Sequence, residues 1–354
     1  MSNNILILIT SPFQYWCAQE FLHQHSLLDR RITVINGASF CANSMIQIDR
    51  LHRRLVTVNE KTLVIPSNTS LDARIAPYAS IAHELNKHDF EKVLIGDLRE
   101  IWMQDIACFL DCSDIILVDD GAATNVFVEK LIAPSNFKLP IALHSQSESR
   151  RHEATKIKEQ YGLFLKGKEI SLFSIFPFPH YPNTIQNGLS VLKQLFSNTT
   201  VKANEECHFI GSPVVEKGIV AELEYYDILS HARTEIGKNT KLTYFAHRAE
   251  ALETKRAYLE TLGFDIEQHD EPYELVCATQ GRKPSMIFGM HSTSLFNMKI
   301  LLDGKIRAVC YKLNNRALSH LEEKMGGSDK FSLREHIESI YKRLNEFSIE
   351  SQIV

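Results

Sequence analysis

Short apolar, β-rich runs alternate with longer helical patterns along almost the whole chain, and no other feature limits its folds so strongly. Strands are expected at residues 5–10, 31–36, 63–66, 92–96 and 114–118, with helices at 18–25, 79–86 and 101–110 between them. Such alternation predicts a parallel α/β sheet. The rhythm breaks at "FSIFPFPHYPN", residues 173–183, whose three prolines and four aromatics suit neither helix nor central strand. This segment is expected to be the crossover between two domains. Beyond it the alternation resumes, with strands at 207–211, 242–246, 274–278 and 286–289 and helices at 219–230, 249–262 and 333–345. Two Rossmann-like domains facing across a central cleft are therefore expected, over 1–185 and 186–354.

A length of 354 residues accommodates two ordinary domains. Apolar residues at 44% and charged residues at 23% match a soluble globular protein, and a net charge of −4 gives no sign of a nucleic-acid binder. Seven cysteines are scattered without a CxxC pair or zinc spacing, which suits a reducing cytoplasm. The start "MSNNILILITSPFQ" has no basic stretch and only a short apolar run, so neither signal peptide nor anchor is expected. No window approaches the roughly 18 uninterrupted apolar residues of a membrane helix. Any membrane contact is then expected to be peripheral.

In open parallel sheets, ligands bind beyond the carboxyl ends of the strands. The residues that follow each run are therefore the candidates. Ser11, Pro12, Phe13 and Gln14 follow the first strand, Asp97 and Arg99 follow "KVLIG", and Asp119, Asp120 and Gly121 follow "IILV". In the second half, "HFIG" ends in Gly211 and leads to Ser212, Pro213 and Glu216. "LTYFA" leads to His247 and Arg248, and "SMIFG" leads to His291, Ser292, Thr293 and Ser294. Plainer readings stand beside these. Adjacent acids also suit a solvated turn or a helix N-cap, "HSTS" also suits an N-cap, and Ser11 before Pro12 is a helix start in its own right.

These residues resemble the bacterial sialyltransferases and polysialyltransferases of the two-Rossmann glycosyltransferase type, the GT-B class. That family carries two acids and a glycine in its first domain, a His-Pro pair in its second, and Ser-Ser or Ser-Thr opening a later helix. Here Asp119-Asp120-Gly121, His247-Arg248 and Ser292-Thr293 are similar in order and in partition between the halves. Glu274 in "YELV", with Glu271 as fallback, resembles the family's ribose-binding glutamate. "SPFQ", "IGDLR" and "IGSPVVEKGI" resemble segments of the lipooligosaccharide and capsule branches. One departure is clear: Arg248 stands where the family has proline, replacing a rigid residue by a permanent charge.

The resemblance implies an inverting, metal-independent transfer of a sialic acid-type (nonulosonic acid) sugar from its CMP donor to a hydroxyl of a bacterial surface glycan, lipooligosaccharide or capsule. No cofactor is implied beyond the CMP-sugar itself. Asp120 would be the general base, with Asp119 orienting it or capping the next helix. His247, as a protonated imidazole, would give a proton or hydrogen bond to the departing phosphate. Ser292, Thr293 and Ser294 would hold phosphate oxygens at a helix N-terminus. Glu274 would accept from the ribose, Arg248 would face the phosphate or the donor's carboxylate, and Gly211 and Ser212 would lie on the donor side. Ser11, Gln14 and Arg99 would lie on the acceptor side. The implied location is cytoplasmic, peripheral on the inner membrane. The basic stretch at 149–168 could meet an anionic surface or stay a solvated helix, and a homodimer is left open. CMP-pseudaminic acid, CMP-legionaminic acid or CMP-Kdo remain alternative donors, and a non-catalytic nucleotide-sugar-binding protein remains the alternative class.

Overall fold

The structure, a computed structural model, describes residues 4–37, 42–53, 58–66, 69–133, 136–141, 147–199, 206–237, 239–324 and 333–353. The chain divides into two compact units, the first running to Asn187 and the second beginning at Gly188. Each is an α/β unit built on a mainly parallel sheet, so the chain has the two Rossmann-like domains expected.

In the first unit the strands are β1 (Asn4–Ile9), β2 (Arg31–Gly37), β3 (Val58–Leu63), β4 (Lys92–Ile95), β5 (Ile115–Val118), β6 (Lys138–Leu139), β7 (Lys168–Ser174) and β8 (Thr184–Gln186). The helices are α1 (Pro12–Gln24), α2 (Ala42–His52), α3 (Leu71–Leu85), α4 (Ile101–Phe109), α5 (Ala123–Phe127) and α6 (Glu148–Gln160). The sheet order is β3-β2-β1-β4-β5-β7-β6, with β8 on β7, and only β6 runs antiparallel. The order reverses between β1 and β4, which makes that pair the switch point of the sheet. Ile5 to Ile9 and Ile115 to Val118 are buried throughout. Continuous apolar runs are what a strand needs when helices cover both its faces.

The second unit repeats the pattern. Its strands are β9 (Glu206–Ile210), β10 (Lys241–Phe245), β11 (Asp265–Glu267), β12 (Met286–Met290), β13 (Arg307–Lys312) and β14 (Glu350–Ile353). Its helices are α7 (Ser190–Asn198), α8 (Glu222–Ile236), α9 (Leu252–Thr261), α10 (Tyr273–Gln280), α11 (Thr293–Leu301), α12 (Asn315–Lys324) and α13 (Leu333–Arg343). The order β11-β10-β9-β12-β13-β14 is parallel throughout, with its switch point between β9 and β12. Phe209, Tyr244, Phe288 and Tyr311 are fully buried in its core, and the Phe209 ring stacks with those of Tyr244 and Tyr311.

Several expectations are corrected. Residues 274–278 form helix α10, not a strand. Pro272 sits at its N-cap, Glu274 lies in its first turn, and Gly281 closes it at a φ of 66°. The third strand lies at Val58–Leu63 rather than 63–66. Helix α1 begins at Pro12, six residues before the expected 18, because Ser11 caps it and proline suits its first turn. The proline-rich segment starts inside the first sheet, since Phe173 and Ser174 end β7, and β8 adds to that sheet before the second unit begins.

Cys41 lies outside the described residues, and the other six cysteines are buried free thiols. Among the described residues no helix is long and apolar enough to cross a membrane. In the basic stretch Arg150, Arg151 and Lys156 are exposed on or beside α6, while Lys158 pairs with the buried Asp105 at 2.7 Å.

Candidate functional site

In the first unit, the ends of β1, β4 and β5 converge on Asp120. The Ser11 hydroxyl accepts the Gln14 N–H at 3.3 Å, so it serves as the cap of α1. Gln14 is buried. Its side-chain oxygen accepts from the Thr10 N–H at 2.7 Å and the Thr10 hydroxyl at 3.2 Å, which turns its amide nitrogen toward Asp120 Oδ1, 2.8 Å away. This reach depends on Gly96, because a Cβ there would overlap the Gln14 side chain. On the other oxygen, Arg99 Nη2 donates to Asp120 Oδ2 at 2.7 Å. Arg99 is itself held by Asp97 through Nε at 3.0 Å and Nη2 at 2.7 Å, and its guanidinium lies 5.1 Å from the Phe127 ring centre. Gln14 and Arg99 thus hold the two oxygens of the Asp120 carboxylate, and its side chain stays 16% exposed.

Asp119 faces the other way. It is 0% exposed, and its Oδ2 accepts the Ile175 N–H at 2.6 Å, tying the end of β5 to the turn after β7. It forms no solvated turn, and the N-cap of α5 is Ala122 rather than either acid. Gly121, at a φ of 63°, reverses the chain between the acids and α5, and Thr124 Oγ1 accepts the Asp120 N–H at 3.0 Å.

Burial pushes the Asp119 carboxyl up to about 7, against the pull of the Ser174 and Thr124 hydroxyls and the Ile175 N–H. The folded state thus holds a proton that the unfolded chain releases near its model value of 3.8. Stability should fall as pH rises from about 4 to about 7 and level off above that. Asp119→Asn is expected to remove this slope. Its urea-unfolding stability relative to wild type should climb across the window by up to about 4 kcal/mol, the equivalent of roughly three pKa units. A constant difference from pH 4 to 8 would show that the buried carboxyl does not hold its proton.

In the second unit, β10, β9 and β12 lie side by side, so the ends of β10 and β12 stand about 10 Å apart across β9. Gly211 closes β9 with its N–H on the Phe245 carbonyl at 2.9 Å, and a Cβ there would overlap Glu250 and Tyr244. Ser212 is buried just after it. His247 follows β10. Its N–H donates to Glu250 Oε2 at 2.6 Å, and its Nδ1 accepts the Ala249 N–H at 3.1 Å. An accepting Nδ1 leaves the neutral ring's proton on Nε2. Burial, then the nearby charges of Arg248 and Lys217, push the imidazole down to about 3. The protonated imidazole expected from the sequence is thus corrected: burial and two neighbouring cations leave the free protein with a neutral His247, a hydrogen-bond donor rather than a stored acid. Arg248 stands half-buried beside it.

After β12, His291 is held neutral in the same manner, pushed down to about 3 by burial and by His336 and Lys217. Lys217, on the loop after β9, therefore lies in the field of both imidazoles. Ser292 caps α11, its hydroxyl accepting the Ser294 N–H at 3.3 Å, and Thr293 and Ser294 form the first turn. Glu274 is buried in the first turn of α10, and its Oε1 accepts from Asn297 Nδ2 at 2.7 Å. Asn297 lies four residues after Thr293 on α11, hence on the same helix face. Glu271 lies in the turn that precedes α10. Neutral donors, a lysine, an arginine and a helix N-terminus make this end of the sheet suited to a phosphate.

The expected residues thus fall into two clusters. Ser11, Gln14, Arg99 and Asp120 come together in the first unit. Gly211, Ser212, His247, Arg248, Ser292, Thr293 and Ser294 lie at one sheet end in the second, with Glu274 joined to α11. Sequence reasoning missed Glu250, Lys255, Lys217 and Asn297. Only the four-residue interval from Thr293 to Asn297 offered a signal for any of them. Among the described residues no group of three or more His, Cys, Asp or Glu is placed to hold a metal ion.

No protein-family model and no curated protein sequence matches the chain. Among solved structures it is similar to Acinetobacter baumannii MurG, at 9% identity over 99% of this chain and 86% of that one, with a TM-score of 0.48. It is similar to Arabidopsis thaliana UGT89C1 complexed with UDP-L-rhamnose at 10% identity, over 99% and 85%, with a TM-score of 0.49. For the E. coli ADP-heptose lps heptosyltransferase II the figures are 11%, 100% and 90%, and 0.42. Likenesses of this degree carry no argument about activity, and the fold class rests on the strand orders of the two sheets.

Proposed function

We propose that this chain is a glycosyltransferase that moves a nonulosonic acid, sialic acid in the first instance, from its CMP donor to a hydroxyl of a bacterial surface glycan. The transfer inverts the anomeric centre and needs no metal. The enzyme works on the cytoplasmic side, peripheral to the inner membrane. One observation carries the reading. The three segments that resemble the sialyltransferase motifs all follow the carboxyl ends of parallel strands, at or one strand away from the switch point of their sheet.

The chemistry follows from the side chains. Asp120, held by Gln14 and Arg99, takes the proton of the acceptor hydroxyl as it attacks the anomeric carbon. The bond to the CMP oxygen breaks, and charge grows on the phosphate. The His247 Nε2–H, the Ser292–Ser294 turn and Lys217 stabilise that charge. Glu274 keeps its second carboxylate oxygen for the ribose hydroxyls while Asn297 holds the first. Attack and departure on opposite faces of one carbon give inversion, as in inverting glycosidases.

The test is a coupled assay of CMP release and product formation with CMP-sialic acid and a lipooligosaccharide acceptor. Acceptor-dependent CMP release is expected, with a product of opposite anomeric configuration to the donor. Arg248, a cation where the family carries proline, favours a second donor reading. CMP-pseudaminic acid, CMP-legionaminic acid and CMP-Kdo are therefore run in parallel, and turnover of one of these alone moves the donor assignment. Binding of CMP with no transfer from any donor to any surface glycan would replace the enzyme by a non-catalytic nucleotide-sugar binder.

A further inference from the structure

The turn that carries His247 stands on a buried ionic network. Lys255, on α9, is 1% exposed, and the Glu250 side chain is 0% exposed. Lys255 Nζ donates to Glu250 Oε1 at 2.6 Å and to Glu216 Oε1 at 2.8 Å, and it lies 5.1 Å from the Tyr225 ring centre. Glu250 Oε1 also accepts the Tyr244 hydroxyl at 2.6 Å, and its Oε2 accepts the His247 N–H at 2.6 Å. Glu216 Oε1 accepts the Ala251 N–H at 2.9 Å. The turn from His247 to Ala251 is thus gripped at its first and last N–H by two carboxylates that meet on one ammonium.

We propose that Glu250 and Lys255 are positioning residues that hold this turn so that the Ala249 N–H stays on His247 Nδ1 and the ring presents its Nε2–H. Three features support this. A buried ion pair is a poor way to gain stability, since apolar residues of similar volume often do as well or better. Its retention under one particular turn points to the geometry of that turn. The space for the Glu250 carboxylate exists because residue 211 has no Cβ. Arg248 lacks the fixed φ that a proline would give, so the rigidity of the turn comes from these side chains instead. The network extends beyond the imidazole as well, because Glu216 adjoins Lys217, whose charge acts on both His247 and His291.

The consequence for turnover rests on the proposed transferase reading, whereas the tautomer does not, so the experiment has two arms. Removing only Lys255 would strand a buried carboxylate. The main variant is therefore Glu250→Leu with Lys255→Met, which removes both charges at similar volume. The protein is labelled with 15N-histidine, and the His247 ring signals are assigned by their loss in His247→Gln. Two-bond 1H–15N correlations then read the tautomer. Wild type is expected to show a single Nε2–H form, and the folded double variant an averaged one. In the assay, the double variant should lose about 10- to 100-fold in kcat through misplacement of the donor, with the KM for the CMP-sugar within about twofold of wild type. If the double variant does not fold, Glu250→Gln keeps the size of the side chain, weakens the bond to the His247 N–H, and is read in the same way. A folded variant whose His247 tautomer matches wild type overturns the proposal, whatever its activity. Averaged ring signals in the wild-type protein overturn it as well. A single Nε2–H form in a wild-type protein that transfers no sugar, averaged in the variant, would leave the positioning role standing while the transferase reading fails.

Discussion

Replacing Asp120 by alanine is expected to lower sugar transfer by about two to four orders of magnitude, the usual contribution of a positioned general base. The unfolding midpoint should fall modestly, because the buried Gln14 amide loses its acceptor. The carboxylate meets Gln14 and Arg99, and Arg99 keeps its bonds to Asp97 when Asp120 is gone. Alanine strands the buried Gln14 amide nitrogen, which costs about 1–3 kcal/mol of stability, so its rate is read on protein shown to be folded. Asp120→Asn sharpens the test. Asparagine keeps the shape and an oxygen for the Gln14 amide or the guanidinium, but it cannot take a proton. If Asp120 only steadied Arg99, the asparagine variant would retain much of the rate. If Asp120 is the base, asparagine should be nearly as slow as alanine. Near-wild-type turnover in either folded variant removes Asp120 from the proton-transfer step.

What could be read in advance follows from how each residue is recognised. The strands β1 and β5 are unbroken apolar runs, because both of their faces are buried, and that pattern needs no tertiary information. Their polar exits were legible for the same reason, since a parallel sheet presents its chemistry at the carboxyl ends. Segment 273–280 failed because a short apolar run has no period that separates strand from helix, and the flanking Pro272 and Gly281 were the better guides. The third strand was misplaced because β3, at the edge of its sheet, carries the polar sequence "VNEKTL", while the more apolar "LVIP" beside it ends in a proline. Within the candidate site, Gln14 and Asp120 bond across 106 positions, a pairing that only the fold creates. Glu250 and Lys255 look like the solvated charges of a helix and its approach. Their burial depends on the glycine at 211 and the tyrosines beneath them, so local sequence contains no trace of it.

His247→Ala is expected to reduce kcat by about 100- to 1,000-fold, the loss usual for one donor aimed at developing charge, with a smaller loss of CMP affinity. The pH dependence separates two ways in which the imidazole could act. A stored acid would be protonated in the free enzyme, and kcat/KM would fall as pH rose through its pKa. Here burial and the charges of Arg248 and Lys217 hold the ring down to about 3. His247 is then neutral across pH 5–8, and kcat/KM should show no titration from it there. The same depression makes the group a liability to the fold in acid. The unfolded chain takes up a proton below its model value of 6.5 and the folded ring does not, so stability should fall as pH drops from about 6.5. His247→Gln should lessen that acid sensitivity. Because glutamine can also donate a hydrogen bond, it should keep more activity than alanine. A limb in kcat/KM near pH 6.5 that disappears in the glutamine variant would instead make His247 an acid that arrives already protonated, and the neutral-donor account of phosphate departure would fail with it.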